Sequence, residues 1–202
     1  MLGRISFALL TICACTLTST ARADIDVFIN FDRDTNGIAL ESPAVINEVY
    51  LSWGVTFGSN PGAQCGSGEV YATSACLSEP APTSAPNIVS FCAGCSDISE
   101  DTGYVIATFL MPADSVCITA IAAEPNGRSY LRAYDAEHNL VVEDISNPEL
   151  ASDVLCVTGP AIHTVEFTGL PGEFAWFDDM QVSFAEVPVE PVTWSGIKAR
   201  ER

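Results

Sequence analysis

The feature that most constrains this chain is its punctuation. Runs of five to eleven residues rich in β-branched, aromatic and other apolar types recur, separated by Gly, Pro, Asn and Asp, and helical periodicity is nearly absent. The runs lie at 24–31, 53–57, 87–91, 104–110, 115–123, 129–135, 139–144, 161–167 and 174–184. From Tyr104 onward, turns such as P-N-G-R and L-P-G-E separate them. About nine short strands with turn punctuation predict an all-β fold, an antiparallel β-sandwich or jelly roll. A short helical turn is expected over 43–51. The stretch 58–86, rich in Gly, Ser and Pro, reads as a long surface loop.

Both ends differ from this pattern. Arg4, an apolar run of 11 residues at 5–15 and the small-x-small triplet Ala21-Arg22-Ala23 form a secretory signal, with a mature start near Asp24. That run is too short to span a bilayer, and no later segment is apolar enough to do so. The expected organisation is therefore a signal peptide (1–23), one sandwich domain (24–185) and an extended tail (186–202). The tail is Pro-rich and carries Lys198, Arg200 and Arg202.

With Arg4 and Arg22 removed, 6 basic residues face 26 acids, a formal net charge of −20. No basic footprint exists, so nucleic acid is excluded as a partner. The charge fits a soluble exported protein, with some carboxylates available to a divalent cation.

Six cysteines remain after the signal: Cys65, Cys76, Cys92, Cys95, Cys117 and Cys156. An even number in an exported chain reads as disulfides, and six allow 15 connectivities. Proximity favours Cys65 with Cys76, and Cys92-Ala-Gly-Cys95 is able to close on itself. Cys117 and Cys156 sit in similar runs, V-C-I-T and L-C-V-T, and would staple two strands. Zinc or redox chemistry at the CxxC lacks the surrounding context.

The order I-N-F-D (29–32), I-N-E-V-Y-L-S-W-G-V-T-F-G-S (46–59), L-R-A-Y-D-A-E-H-N-L-V (131–141) and V-E-F-T-G-L-P-G-E-F-A-W-F-D-D-M-Q-V-S-F (165–184) is familiar. It resembles the exported bacterial β-sandwich domains common among PEP-CTERM, or exosortase-sorted, surface proteins. The resemblance covers about 25–185 and implies a fold and an exported location more than an activity. V-P-V-E-P in the tail lacks the family's Pro-Glu-Pro signal, so exosortase sorting does not carry over. More distantly, the pattern looks like calcium-bearing carbohydrate-binding jelly rolls. That likeness implies one structural calcium, held by an acid at the end of the first strand, here Asp32, and by Asp178 or Asp179 in the last.

The residues support part of that expectation on their own. Asp32, Asp34, Asn36 and Gly37 alternate as in the opening of a D-x-[DN]-x-[DN]-G calcium loop. An EF-hand is excluded, because loop position 12 is Pro43 and the residues before Asp32 read as a strand. A shared site survives, with Asp178 or Asp179 completing it; Asp178 matches the family pattern.

Catalytic signatures are weak. A Ser-His-Asp triad needs a histidine, and only His138, in an expected hairpin turn, and His163, in an expected strand, exist. No facing carboxylate pair stands out. Tyr130, Arg132 and Tyr134 alternate on one strand face, an arrangement that either binds a glycan or packs half-buried. The expectation is a non-catalytic exported or cell-surface module that binds glycan or matrix or serves structurally; a secreted polysaccharide hydrolase or its accessory domain is the alternative.

Overall fold

The computed structural model describes residues 25–60, 63, 68–74, 84, 86–93 and 98–184. The signal segment, the tail, Cys65, Cys76 and Cys95 lie outside the described residues. Ten strands form: β1 (Ile25–Ile29), β2 (Ala44–Val45), β3 (Val55–Ser59), β4 (Tyr71–Thr73), β5 (Ile88–Ser90), β6 (Val105–Ala122), β7 (Ser129–Tyr134), β8 (Leu140–Ile145), β9 (Ser152–Gly169) and β10 (Ala175–Phe184). The helical element among the described residues is a single 3₁₀ turn, Leu51–Trp53, closed by Gly54 at φ 83. That left-handed value suits glycine, which has no Cβ to clash.

The strands hydrogen-bond in one continuous array, β2-β4-β5-β10-β6-β9-β7-β8, with β1 on β10 and β3 on β6. Two 18-residue strands, β6 and β9, make this array fold over itself. The first part of β6 pairs with β3 and with the end of β9, whereas from Ala113 onward β6 pairs with β10 and with the start of β9. Between these parts the register shifts at Thr108/Ala113 and Ala113/Ser115. The buried positions change phase there, from Val105, Ala107 and Phe109 to Val116, Ile118 and Ala120. A bulge inserts an unpaired residue, bends the strand and turns its apolar set to a new direction. One end of β6 thus serves a layer of β3, β7, β8 and the end of β9. The other serves a layer of β10, β1, β5 and the start of β9.

The two inner faces meet in a shared core. Phe167 of the first layer lies 4.9 Å from Phe177 of the second, centroid to centroid, and Phe109 lies 6.0 Å from Phe184. Alternation places Val105, Ala107, Leu131, Ala133, Val165 and Phe167 inside, all fully buried. Burying an aromatic or aliphatic side chain of this size contributes about 1.5–3 kcal/mol each.

The expected antiparallel sandwich forms, with local differences. The runs 104–110 and 115–123 are one strand, because Met111-Pro112-Ala113-Asp114 continues the chain through the bulge instead of ending it. β9 begins at Ser152, before the run expected at 161–167. The stretch 58–86 is not surface throughout: β4 pairs with β2 and β5, and Val70, Ala72 and Thr73 are completely buried. Cys117 and Cys156 face each other in register across β6 and β9 and form the expected staple, Cα atoms 4.1 Å apart. Cys92 is also disulfide-bonded.

Candidate functional site

Two regions collect the residues singled out in the sequence. The first lies where β1 meets β10. These strands are antiparallel neighbours, Ile25 opposite Phe184 and Ile29 opposite Met180, so the chain's early acids do come alongside its late ones. Asp32 and Asp178 are both buried, at 8% and 0% exposure. Both carboxylates hold the same segment. The Ser84 N–H donates to Asp178 Oδ2 at 2.7 Å and the Ser84 hydroxyl donates to Asp178 Oδ1 at 3.1 Å, while the Asn87 N–H donates to Asp32 Oδ1 at 2.8 Å. The Asp179 N–H adds a bond to Asp178 Oδ1 at 2.8 Å. Donors converging on all sides suit an ionised carboxylate, which only accepts.

Asp34 and Asn36 belong to a separate, exposed turn. Asp34 Oδ1 accepts from the N–H groups of Asn36 and Ile38, both at 2.8 Å, and Arg33 closes the turn on the Gly37 carbonyl at 2.7 Å. These bonds, the one from Ile38 foremost, hold the Asp34 carboxyl below the ordinary range. Tyr50 donates to the Arg33 carbonyl at 3.0 Å, and burial, then the charges of Asp32 and Asp34, push its phenol well up. Asp179 occupies the bulge of β10 at φ 43, so strict alternation with Asp178 does not apply to it.

A calcium shell needs six to eight oxygens with lone pairs facing the ion. Here the oxygens of Asp178, Asp34 Oδ1 and Asp32 Oδ1 face N–H and O–H donors. Asn87 Oδ1, beside Asp32, is buried without a hydrogen-bond partner among the described residues. No group of three or more His, Cys, Asp and Glu side chains is placed to hold a metal among them either. The Asp178, Asp34 and Asp32 oxygens named here are thus engaged by donors within the chain.

The second region is the outer face of the first layer. Three cross-strand rows run over it: Thr168–Tyr130–Ile145, Ile106–Glu166–Arg132–Glu143, and Thr108–Thr164–Tyr134–Leu140. All alternate with the buried inner set, so these side chains point away from the core. Tyr130, Arg132 and Tyr134 therefore share a face as the spacing predicts, yet they are not a bare aromatic platform. Tyr130 is 1% exposed and lies under the Arg132 guanidinium, 3.7 Å from its ring centroid. Arg132 bonds Glu143 and approaches Glu100 to 3.6 Å. Tyr134 donates to Glu166 Oε2 at 2.8 Å, and His138 stacks on its ring at 4.5 Å. His138 sits at φ 62 in its turn, the left-handed region where glycine is favoured.

The electrostatics follow from the packing. Burial first, then the hydrogen bond to Glu166, pushes the Tyr134 phenol well up; burial and the charges of Glu166 and Glu100 also raise Tyr104. Both remain neutral hydroxyl donors at ordinary pH. Glu166 is 6% exposed, and its Oε1 lies 3.9 Å from His138 Nε2, outside hydrogen-bond reach. Two residues away on the same face, Thr164 Oγ1 is buried without a hydrogen-bond partner among the described residues. Neither Thr164 nor Glu166 was among the sequence candidates, although A-I-H-T-V-E-F sets them at i and i+2 on one strand face.

No family model matches the chain, and no curated protein matches it. Among solved structures it is similar to a variant of a family 29 carbohydrate-binding module (13% identity, 84% of this chain and 100% of that one, TM-score 0.32). A second family 29 variant, complexed with mannohexaose, shares 12% identity over 80% of this chain and 93% of that one, with a TM-score of 0.36. A family 32 module from C. perfringens, in complex with galactose, shares 15% identity over 70% and 98%, with a TM-score of 0.34. A likeness this distant carries no argument about ligand or chemistry. Among the described residues no helix is long and apolar enough to cross a membrane.

Proposed function

We propose that this protein is an exported, non-catalytic module that binds glycan on the outer face formed by β9, β7 and β8. The observation that carries the reading is the Thr164 hydroxyl, buried without a hydrogen-bond partner among the described residues and in register with Tyr134 across β9 and β7. A buried polar atom without a partner costs about 1–3 kcal/mol. Sugar hydroxyls both donate and accept and so satisfy such an atom, and amphipathic rings such as those of Tyr134 and His138 pack on a sugar's apolar side. The hydrolase alternative needs two carboxylates facing each other across a cleft. Here Arg132 stands in register between Glu143 and Glu166 and pairs with the former, which favours binding over hydrolysis. Export is supported by the N-terminal signal pattern and the even cysteine count.

The test is a glycan array with the oxidised mature chain, followed by calorimetry on the ligands it returns. Tyr134→Ala and Thr164→Val are each expected to weaken binding about tenfold or more. Thr164→Val replaces the open hydroxyl by a methyl of the same shape and leaves the fold intact. Wild-type affinity in both variants, or release of cleaved sugar, overturns the reading.

A further inference from the structure

Resting on that glycan-binding reading, we infer how the site is controlled: the His138 side chain is a proton-operated cover on the Tyr134 ring, closed when the imidazole is charged and open when it is neutral. The imidazole lies nearly parallel over the phenol, ring centroids 4.5 Å apart and planes 14° from each other. Its Nε2 stands 3.9 Å from Glu166 Oε1, within ion-pair range once the ring is protonated. Among the described residues no hydrogen bond holds that ring, and the side chain is 68% exposed, so a change of rotamer is open to it. The backbone beneath is fixed. Asp135 Oδ1 accepts from the Glu137 and Asn139 N–H groups at 3.0 and 2.8 Å, and the His138 N–H donates to the Asp135 carbonyl at 3.1 Å. Only the side chain has to move.

Charge decides which rotamer wins. Glu166 is buried beside the stack, with Oε2 accepting the Tyr134 hydroxyl and Oε1 facing the imidazole. Arg132, opposite Glu166 in register, is committed to Glu143 and Glu100. Asp135 and Glu137 share the turn with His138 and attract a cation in either rotamer, and Asp135 also faces His163, so these acids do not choose between the two. Tyr104 and Tyr134 stay neutral. A protonated imidazole over the stack therefore gains the Glu166 charge and a cation–π contact with the Tyr134 ring, and a neutral one gains neither. Histidine changes charge between about pH 5 and 8. Below that range the cover is held; above it the cover is released, and a sugar that needs the Tyr134 ring binds more tightly. The Thr164 hydroxyl, in register with Tyr134, takes a sugar oxygen once the ring is uncovered.

Calorimetry on the oxidised mature chain tests this with glucose, mannose and galactose oligomers, which carry no titratable group, at about pH 5.5 and about pH 7.5. Affinity is expected to rise about fivefold between the two, the worth of one exposed ion pair with its ring contact. His138→Gly suits the left-handed φ of 62 and is expected to bind at the lower pH as tightly as the wild type does at the higher. Glu166→Gln keeps an acceptor for Tyr134 and is expected to flatten the pH dependence. His163→Gln removes the only other histidine of the chain and is expected to keep it. Without any ligand, the ring-to-ring NOE between His138 and Tyr134 is expected to be strong at the lower pH and to fade at the higher. A pH-independent affinity, a pH dependence that survives His138→Gly, or an NOE that does not fade overturns the cover while the glycan reading stands. If the NOE fades but no oligomer binds at either pH and Tyr134→Ala changes nothing on the wider array, the glycan reading falls and the cover's role falls with it.

Discussion

Asp178→Ala probes the most deeply buried carboxylate among the described residues. Its side chain is fully buried and accepts from the Ser84 amide at 2.7 Å, the Ser84 hydroxyl at 3.1 Å and the Asp179 amide at 2.8 Å. A hydrogen bond to a charged acceptor is worth about 1.5–3 kcal/mol, and a part-buried amide left without an acceptor costs about 1–3 kcal/mol. Some of these donors regain water once the carboxylate is gone, so the expected loss is about 3–5 kcal/mol. For a domain of this size each kcal/mol moves Tm by about 2–4 °C, which makes the shift roughly 10 °C. Asp178→Asn turns an amide donor toward Ser84 and should lose nearly as much. Ser84→Ala removes only the hydroxyl and should cost about 1 kcal/mol. Urea unfolding followed by tryptophan fluorescence, together with thermal melts, reads all three. An Asp178→Ala variant within 1 kcal/mol of wild type refutes the reasoning. The same melts carry the calcium question. Because these oxygens face N–H and O–H donors, EDTA and excess calcium are each expected to leave the curve unchanged. A calcium-dependent rise that Asp178→Ala abolishes would establish the ion site instead.

Three further outcomes follow from the geometry. Replacing Cys117 and Cys156 together by alanine opens a loop of sequence separation 39, worth about 4 kcal/mol in chain entropy; since the strands stay paired, about 2–4 kcal/mol should be lost in urea. The carboxyls of Asp34, Asp135 and Glu173 are held below their ordinary range, chiefly by the Ile38 amide, the Asn139 side chain and the Arg128 side chain respectively. Because the folded values are depressed, their contribution is complete above the unfolded values near pH 4 and lost as pH falls through the folded ones. The wild-type advantage over Asp135→Asn should therefore shrink below about pH 4, and an advantage unchanged there would contradict the turn bonding. Glycine at His138 fits the left-handed φ of 62 but gains unfolded-state entropy, so stability should stay within about 1 kcal/mol while the Tyr134 ring is uncovered. A loss above 2 kcal/mol in melts would mean that the ring stack, not the turn, holds that hairpin.

The alternating runs were enough to read an antiparallel sandwich, because period-2 burial leaves a trace wherever one face is wet. The pairing of Cys117 with Cys156 was legible for the same reason, since matched runs place both on one face. What escaped were features decided by neighbours. β4 is three residues long and sits in Gly/Ser-rich sequence; only the flanking β2 and β5 make it a strand. Met111-Pro112-Ala113-Asp114 looks like a break, since proline cannot donate to a ladder, yet a bulged strand tolerates it. Asp32 and Asp178 were singled out, but of their partners Ser84 lies in the stretch read as a surface loop and Asn87 at the start of the run 87–91, and sequence spacing does not show that they meet. Glu166 and Thr164 carry an alternation signal. Spacing alone does not encode the Tyr134 hydrogen bond that Glu166 accepts or the stacking of His138 on that ring.

The pairing of β1 with β10 has a mechanical consequence. Ile25 and Phe184 stand side by side, so the chain enters and leaves the domain at the same edge. A load applied between those points peels the two strands apart one hydrogen-bonded pair at a time and never shears the whole ladder at once. The domain should yield at low force, beginning at that edge. The Cys117–Cys156 bond then limits how far it lengthens, withholding a segment of separation 39, about 130 Å of extended chain, from the pull.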